Sequence, residues 1–173
     1  ERFTLSWWER VETLAIWDAH IKWHDSTANY RYITSINAPY GELYMASSSQ
    51  PTGITIVASA WHHLVITVDA GAFEFYNNGV STGTPSWSPL SSLYELRSNI
   101  SLGNKYNYTT SGIDGQMSEF ALWSGTVLSA VQVSKVYNSG SPPDLTTGIA
   151  GDTNPDVNYV YVPGGSGNSA WFI

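Results

Sequence analysis

Carboxylates, imidazoles and aromatic rings are the side chains here with chemistry to offer, and their spacing sorts them. Cleaving a glycosidic bond needs two carboxyl groups facing each other about 5–10 Å apart. The nearest acidic pairs are Glu9/Glu12 and Asp114/Glu119. Their odd spacings place the two members on opposite faces of a strand, so they read as solvated surface carboxylates. Asp18, His20, His24 and Asp25 form the densest group of metal-ligand types. On a strand His20 and His24 share a face but stand about 13 Å apart, at ~3.3 Å per residue. One ion needs its ligands near ~2 Å, so this group reads as the polar outer face of a strand. Of His62 and His63, one is expected to pack on the core side with a hydrogen bond and the other to face out. No Gly-x-Ser-x-Gly elbow accompanies them. The chain has no cysteine, which removes disulfides, thiolate metal sites and cysteine nucleophiles. No catalytic residue is assigned, and the chain is read as not an enzyme.

Binding chemistry is better represented. A sugar ring presents C–H groups that stack on an aromatic face. Trp87, Tyr94, Tyr106, Tyr108 and Tyr40 lie outside clear core positions. Tyr106-Asn107-Tyr108 joins two rings to an amide that can bond hydroxyls, so the ligand-binding candidates are Trp87, Tyr94, Tyr106, Asn107 and Tyr108. Calcium is the metal option, through Asp69, Asn104, Asp114 and loop carbonyls near strand ends. The same residue types are also preferred turn formers. No cofactor is required by this reading. Asn99-Ile100-Ser101 and Asn107-Tyr108-Thr109 fit the glycosylation acceptor pattern, which matters only in a secreted chain.

The elements that position these residues are strands. Ser, Thr, Asn and Gly fill 64 of 173 positions and 24 residues are aromatic. That mixture suits short strands and turns over long helices, and the aromatic content argues against disorder. Phe3, Leu5 and Trp7 alternate with Thr4 and Ser6. Trp17, Ala19, Ile21 and Trp23 alternate with Asp18, His20, Lys22 and His24. Further strands are expected over 29–36, 42–46, 54–58, 61–69, 72–76, 99–103, 116–123, 157–162 and 170–173. Asn78-Gly79 supplies the positive φ angles of a tight hairpin. Residues 81–98 read as a long surface loop. Ser129 and Gln132 match a capping box, Val133, Val136 and Tyr137 keep helical spacing, and Gly140 is a fitting stop. One short helix is expected over about 129–138. The sum is an all-β antiparallel sandwich with one short helix.

The opening Phe3-Thr4-Leu5-Ser6-Trp7-Trp8 resembles the first strand of laminin G-like, concanavalin A-like jelly rolls. Trp61-His62-His63-Leu64-Val65-Ile66 resembles the family's central strand, and Phe73–Val80 with Asn78-Gly79 its hairpin. Gly115–Trp123, then Leu128-Ser129 and Val136-Tyr137-Asn138, resembles its closing strand and helix, an ending shared with pentraxins. The resemblance implies two antiparallel sheets packed face to face, with ligands taken by the concave face or the rim loops. It divides the chain into a core over 1–145 and an extension over 146–173. The extension is expected to be a linker plus edge strands that complete the sandwich or contact a neighbour. Ser118 and Ser124 stand where relatives carry Asp, so two carboxylates of a family-type calcium site are missing.

The net charge of −7 and the scatter of seven Lys and Arg argue against nucleic acid or anionic membrane partners. No apolar run approaches a membrane span. The chain opens on Glu1, which reads as a processed chain or a piece of a larger one. The resemblance implies an extracellular, cell-surface or virion setting. The expected function is a non-catalytic binding module recognising glycan or a protein surface through rim loops. The alternative is a structural or assembly domain of a virion or cell-surface protein held by neighbouring chains, like chains among them, and a glycoside hydrolase is the remote third; adhesion is a further setting the resemblance implies.

Overall fold

The computed structural model describes residues 2–15, 18–24, 30–35, 42–46, 50–84, 99–103, 112–143, 145 and 149. Among them ten strands and one α-helix are present. The strands are β1 (Arg2–Thr13), β2 (Asp18–His24), β3 (Tyr30–Ser35), β4 (Glu42–Ala46), β5 (Gln50–Thr55), β6 (Trp61–Asp69), β7 (Ala72–Asn77), β8 (Val80–Gly83), β9 (Asn99–Leu102) and β10 (Asp114–Ser124). The helix α1 spans Ala130–Tyr137. Hydrogen bonding joins the strands into two five-stranded sheets, ordered β10-β1-β6-β7-β8 and β5-β4-β3-β2-β9. The strands expected after residue 157 lie outside the described residues. Residues 81–83, read from sequence as loop, belong to β8.

The described residues fall into two compact units. The first holds residues 2–9 of β1, β6 from His62, β7, β8, residues 118–124 of β10, and α1. Here β6 and β7 pair antiparallel with Val65 opposite Tyr76 and Ile66 opposite Phe75. Asn78 at φ 52° and Gly79 at φ 77° form the two-residue turn into β8, the geometry that matches strand twist. Helix α1 forms because its start is chemically closed. The Ser129 hydroxyl accepts from the Gln132 N–H at 3.3 Å, and the Gln132 side chain accepts from the Ser129 N–H at 2.8 Å. Asn138, in the left-handed region at φ 45°, ends the helix two residues before Gly140. The apolar face of α1, Val133 and Val136, packs with Val65, Tyr76, Ala121, Trp123, Leu128 and Leu145 in one buried cluster.

Both faces of β1 are buried in this unit. Phe3, Leu5 and Trp7 are covered as the alternation predicts, but so are Thr4, Ser6 and Trp8. The second face is covered by the segment leading into α1, and its hydroxyls find partners there. Thr4 Oγ1 donates to the Thr126 carbonyl at 3.1 Å and accepts from the Leu128 N–H at 2.9 Å.

The second unit holds residues 10–13 of β1, β2 to β5, Trp61, β9 and residues 114–117 of β10. Strands β2–β3, β3–β4, β4–β5 and β2–β9 all pair antiparallel. The register of β2 slips between Ala19 and Ile21, so His20 sits at a bulge. This overturns the simple inside/outside reading of that strand. Asp18 and His20 are buried along with Ala19 and Ile21. At Gly115 β10 runs so close to β1 that an added Cβ would collide with the Arg10 carbonyl oxygen.

Two glycines therefore make separate tests. At Gly79 an added Cβ would lie 2.8 Å from Tyr137 Cδ1, on a backbone at φ 77°. Gly79→Ala is expected to lower the unfolding free energy by about 1–3 kcal/mol. Gly115→Ala should cost at least as much by prying β10 from β1. Urea denaturation of both variants checks this, and midpoints equal to the parent protein's would contradict the packing described.

Candidate functional site

The residues that carry the family resemblance meet in one place. Ser6 Oγ and His63 Nε2 are hydrogen-bonded at 2.8 Å, both groups buried. The Trp8 and His63 rings lie 5.1 Å apart, Trp8 and Tyr137 5.7 Å, and His63 and Tyr137 5.9 Å. The backbone of His63 is clamped by the hairpin turn. Its carbonyl accepts from the Asn78 N–H at 2.8 Å, and its N–H donates to Asn78 Oδ1 at 2.9 Å. His63 Nδ1 finds no hydrogen-bond partner among the described residues.

This assembly has the ingredients of a serine–imidazole pair but not the access. Both residues have essentially no exposed surface, so no substrate atom reaches them. Burial drives the His63 pKa down from 6.5 to about 3, which keeps the ring neutral. The expectation that one of the two histidines faces outward is corrected. His62 is also buried, and its Nδ1 bonds Asn77 Oδ1 at 3.1 Å.

The carboxylates are committed to local bonds. Glu9, expected at the surface, is fully buried and accepts from the Trp7 indole N–H at 2.8 Å. That bond supplies a partner without which a buried carboxylate is costly. Glu12 pairs with Arg10 at 3.1 Å, and Ser118 Oγ donates to Glu119 at 3.3 Å. Of the calcium candidates, Asp69 is exposed at the end of β6 and pairs with Arg2 at 3.0 Å. Asp114 is exposed at the start of β10 and accepts from Thr13 Oγ1 at 2.8 Å. A guanidinium against Asp69 already supplies the positive charge a cation would bring. Among the described residues no three His, Asp or Glu side chains gather as a cation site.

Asn104 and the ligand-binding candidates Trp87, Tyr94, Tyr106, Asn107 and Tyr108 lie outside the described residues, as do Tyr40 and Asp25. One aromatic residue that sequence reasoning placed in the core motif is instead exposed. Trp61, the first residue of β6, keeps 42% of its surface in solvent. Its place directly after the Ala58-Ser59-Ala60 turn, ahead of the apolar run, was the available signal.

The family model for the concanavalin A-like lectin/glucanase superfamily matches residues 1–134. No curated protein sequence matches the chain. Among solved structures, domain 4 of an extracellular arabinanase from Geobacillus stearothermophilus, in complex with arabinotriose, is similar. It shows a TM-score of 0.60 and 23% identity, over 79% of this chain and 66% of that one. A heptameric pentraxin from Limulus polyphemus is similar with a TM-score of 0.62 and 15% identity, over 99% of this chain and 82% of that one. A sialidase from Trypanosoma rangeli has a TM-score of 0.63 at 13% identity, with 80% of this chain matching 23% of that one. The chain thus spans just under two thirds of the arabinanase domain and under a quarter of the sialidase. No helix among the described residues is long and apolar enough to cross a membrane.

The neutral buried imidazole gives a pH test with a definite sign. The unfolded chain takes up a proton on His63 near pH 6.5, whereas the folded chain resists until about pH 3. Stability should therefore be fully present above pH 6.5 and fall as pH drops through that window. The slope contributed by His63 is up to about 1.4 kcal/mol per pH unit. His63→Gln should flatten this part of the curve in urea titrations from pH 7 to pH 4, and an unchanged slope would contradict the assignment. With a two-sheet architecture, a capped closing helix and a family model that runs from the first strand into that helix, the chain belongs to the concanavalin A-like lectin/glucanase superfamily.

Proposed function

We propose that this chain is a non-catalytic carbohydrate-binding module of an extracellular protein, taking glycan on aromatic and amide side chains. The observation that carries the reading is the likeness to an arabinanase domain in complex with arabinotriose, over 79% of this chain. The bonding of the described carboxylates supports it. Glu9, Glu12, Asp69, Asp114 and Glu119 are engaged by Trp7, Arg10, Arg2, Thr13 and Ser118 respectively. A glycosidase needs two carboxyls facing a shared bond, whereas binding needs ring faces and hydrogen-bonding groups. Trp87, Tyr94, Tyr106, Asn107 and Tyr108 are the proposed contacts.

Assembly with like chains is the second reading. It is favoured by the likeness to a heptameric pentraxin over 99% of this chain. Binding and assembly are compatible.

A glycan array probed with the chain in calcium and again in EDTA tests the first reading. Binding to neutral oligosaccharides is expected. Loss of binding in EDTA would place Asp69, Asn104 or Asp114 at a calcium site, and retention would leave the aromatic candidates. The double variant Tyr106→Ala/Tyr108→Ala should weaken the strongest interaction by about tenfold or more. An empty array in both buffers would overturn the proposal. Light scattering of the same sample reads the assembly state.

A further inference from the structure

The turn between β5 and β6 is built more elaborately than a connection requires. Residues 57–60 form a β-turn closed by the Ala60 N–H on the Val57 carbonyl at 3.3 Å. Its third residue, Ser59, holds φ at 61°, a region that non-glycine residues rarely occupy. Three contacts keep it there. The Ser59 N–H donates to the Val11 carbonyl at 2.7 Å. Its carbonyl accepts from Arg10 Nε at 2.9 Å, and its hydroxyl donates to Glu12 Oε2 at 2.6 Å. Arg10 Nη2 and Glu12 Oε1 close the ring at 3.1 Å, with 35% and 37% of the two side chains still exposed.

This clamped turn presents apolar surface to solvent. Val57 is 59% exposed and Trp61 42%, whereas Trp7, Trp8 and Trp123 are at most 6% exposed. Trp61 follows Ser59 by two residues, so at most about 7 Å of chain separates them. The half-exposed indole therefore belongs to a residue two positions from Ser59, whose carbonyl and hydroxyl are held by a donor, the Arg10 guanidinium, and an acceptor, the Glu12 carboxylate. Residues held in a sparsely populated conformation by surrounding bonds concentrate at ligand clamps.

The chemistry selects the ligand class. Arg10 and Glu12 neutralise each other at 3.1 Å, so the pair offers no net charge to select an anion or a cation. An apolar partner would strip water from the Arg10–Glu12 pair at a net cost. A neutral sugar suits all three groups, with C–H bonds for the indole face and hydroxyls that both donate and accept. We propose that the turn over residues 57–61 is a sugar-binding subsite, with Trp61 as the stacking platform and Arg10 and Glu12 as its polar flank. The subsite rests on the carbohydrate-binding reading above. It adds a position separate in sequence from Trp87, Tyr94 and the Tyr106–Tyr108 group.

The experiment is a calorimetric and NMR titration of the chain with neutral trisaccharides: arabinotriose, xylotriose and cellotriose. Parent protein, Trp61→Ala, Trp61→Tyr and Tyr106→Ala/Tyr108→Ala are compared. Trp61→Ala should weaken the best trisaccharide by about tenfold or more, and Trp61→Tyr should recover most of that loss. In the parent protein the Trp61 indole N–H resonance, identified by its absence in Trp61→Tyr, should shift on saturation. That second readout decides the matter if Trp61→Ala fails to fold. Parent-level affinity in Trp61→Ala, or an unmoved indole resonance in the bound parent protein, would overturn the subsite. Loss of binding in the Tyr106/Tyr108 variant would then leave the module reading standing. No binding of any trisaccharide by the parent protein would overturn both.

Discussion

Burial of β1 on both faces is the constraint around which the described frame is arranged. A strand that alternates apolar and hydroxyl residues can be covered on both sides only if the hydroxyls are answered. Thr4 is answered by Thr126 and Leu128, and Ser6 by His63. Trp8 then lies against His63 and Tyr137, and the Asn78-Gly79 turn clamps the backbone of His63 from the other side. Four separate sequence segments thus depend on one another. Gly79 has to be glycine because Tyr137 occupies the space of its Cβ. The capping box at Ser129 fixes where α1 begins, and so where Tyr137 arrives.

That convergence has a functional consequence. The histidine and serine with the most catalytic-looking geometry are consumed by the frame, and their burial from solvent removes any role in substrate chemistry. The same holds for Glu9, whose carboxylate is spent on the Trp7 indole. What the frame leaves to solvent is different in kind. The Ser59 turn exposes an indole and a guanidinium–carboxylate pair, groups that can hold a ligand. Carrying recognition groups on turns of a strand scaffold is a common division of labour, and the proposed placement fits a family whose members share a fold more than a function.

Much of the frame was legible in the sequence because it is written in local chemistry. Asn-Gly dictates its turn, Ser129 and Gln132 dictate the helix start, and period-2 alternation dictates strands. Four of the failures share one cause. Alternation reports side-chain chemistry, not whether a second layer covers the polar face, so Thr4, Ser6, Glu9 and His62 read as exposed or undecided when all are buried. At His20 a one-residue bulge cancels the inside/outside logic, and nothing in its neighbours announces that. The helix ends where its spacing predicts, near residue 138, but Asn138 rather than Gly140 takes the left-handed cap, since asparagine also tolerates that conformation. Trp61 was missed in the opposite direction. It belongs to a motif whose following residues are all buried, while the turn just before it is held by Arg10 and Glu12, some fifty residues earlier in the chain. Of the ligand and calcium candidates named from sequence, Asp69 and Asp114 fall among the described residues, and each carries a structural bond.

Hydrogen–deuterium exchange with and without saturating glycan tests the central claim most directly, that the buried cluster around Ser6, His63 and Tyr137 is structural and takes no ligand. The account predicts that protection rises in peptides covering residues 57–61 and the segments around Tyr94 and Tyr106–Tyr108. Peptides containing Ser6, His63, Asn78 and Tyr137 should exchange slowly and identically in both states. Ligand-dependent protection centred on Ser6, His63 and Tyr137, with none at Trp61 or Tyr106–Tyr108, would contradict it.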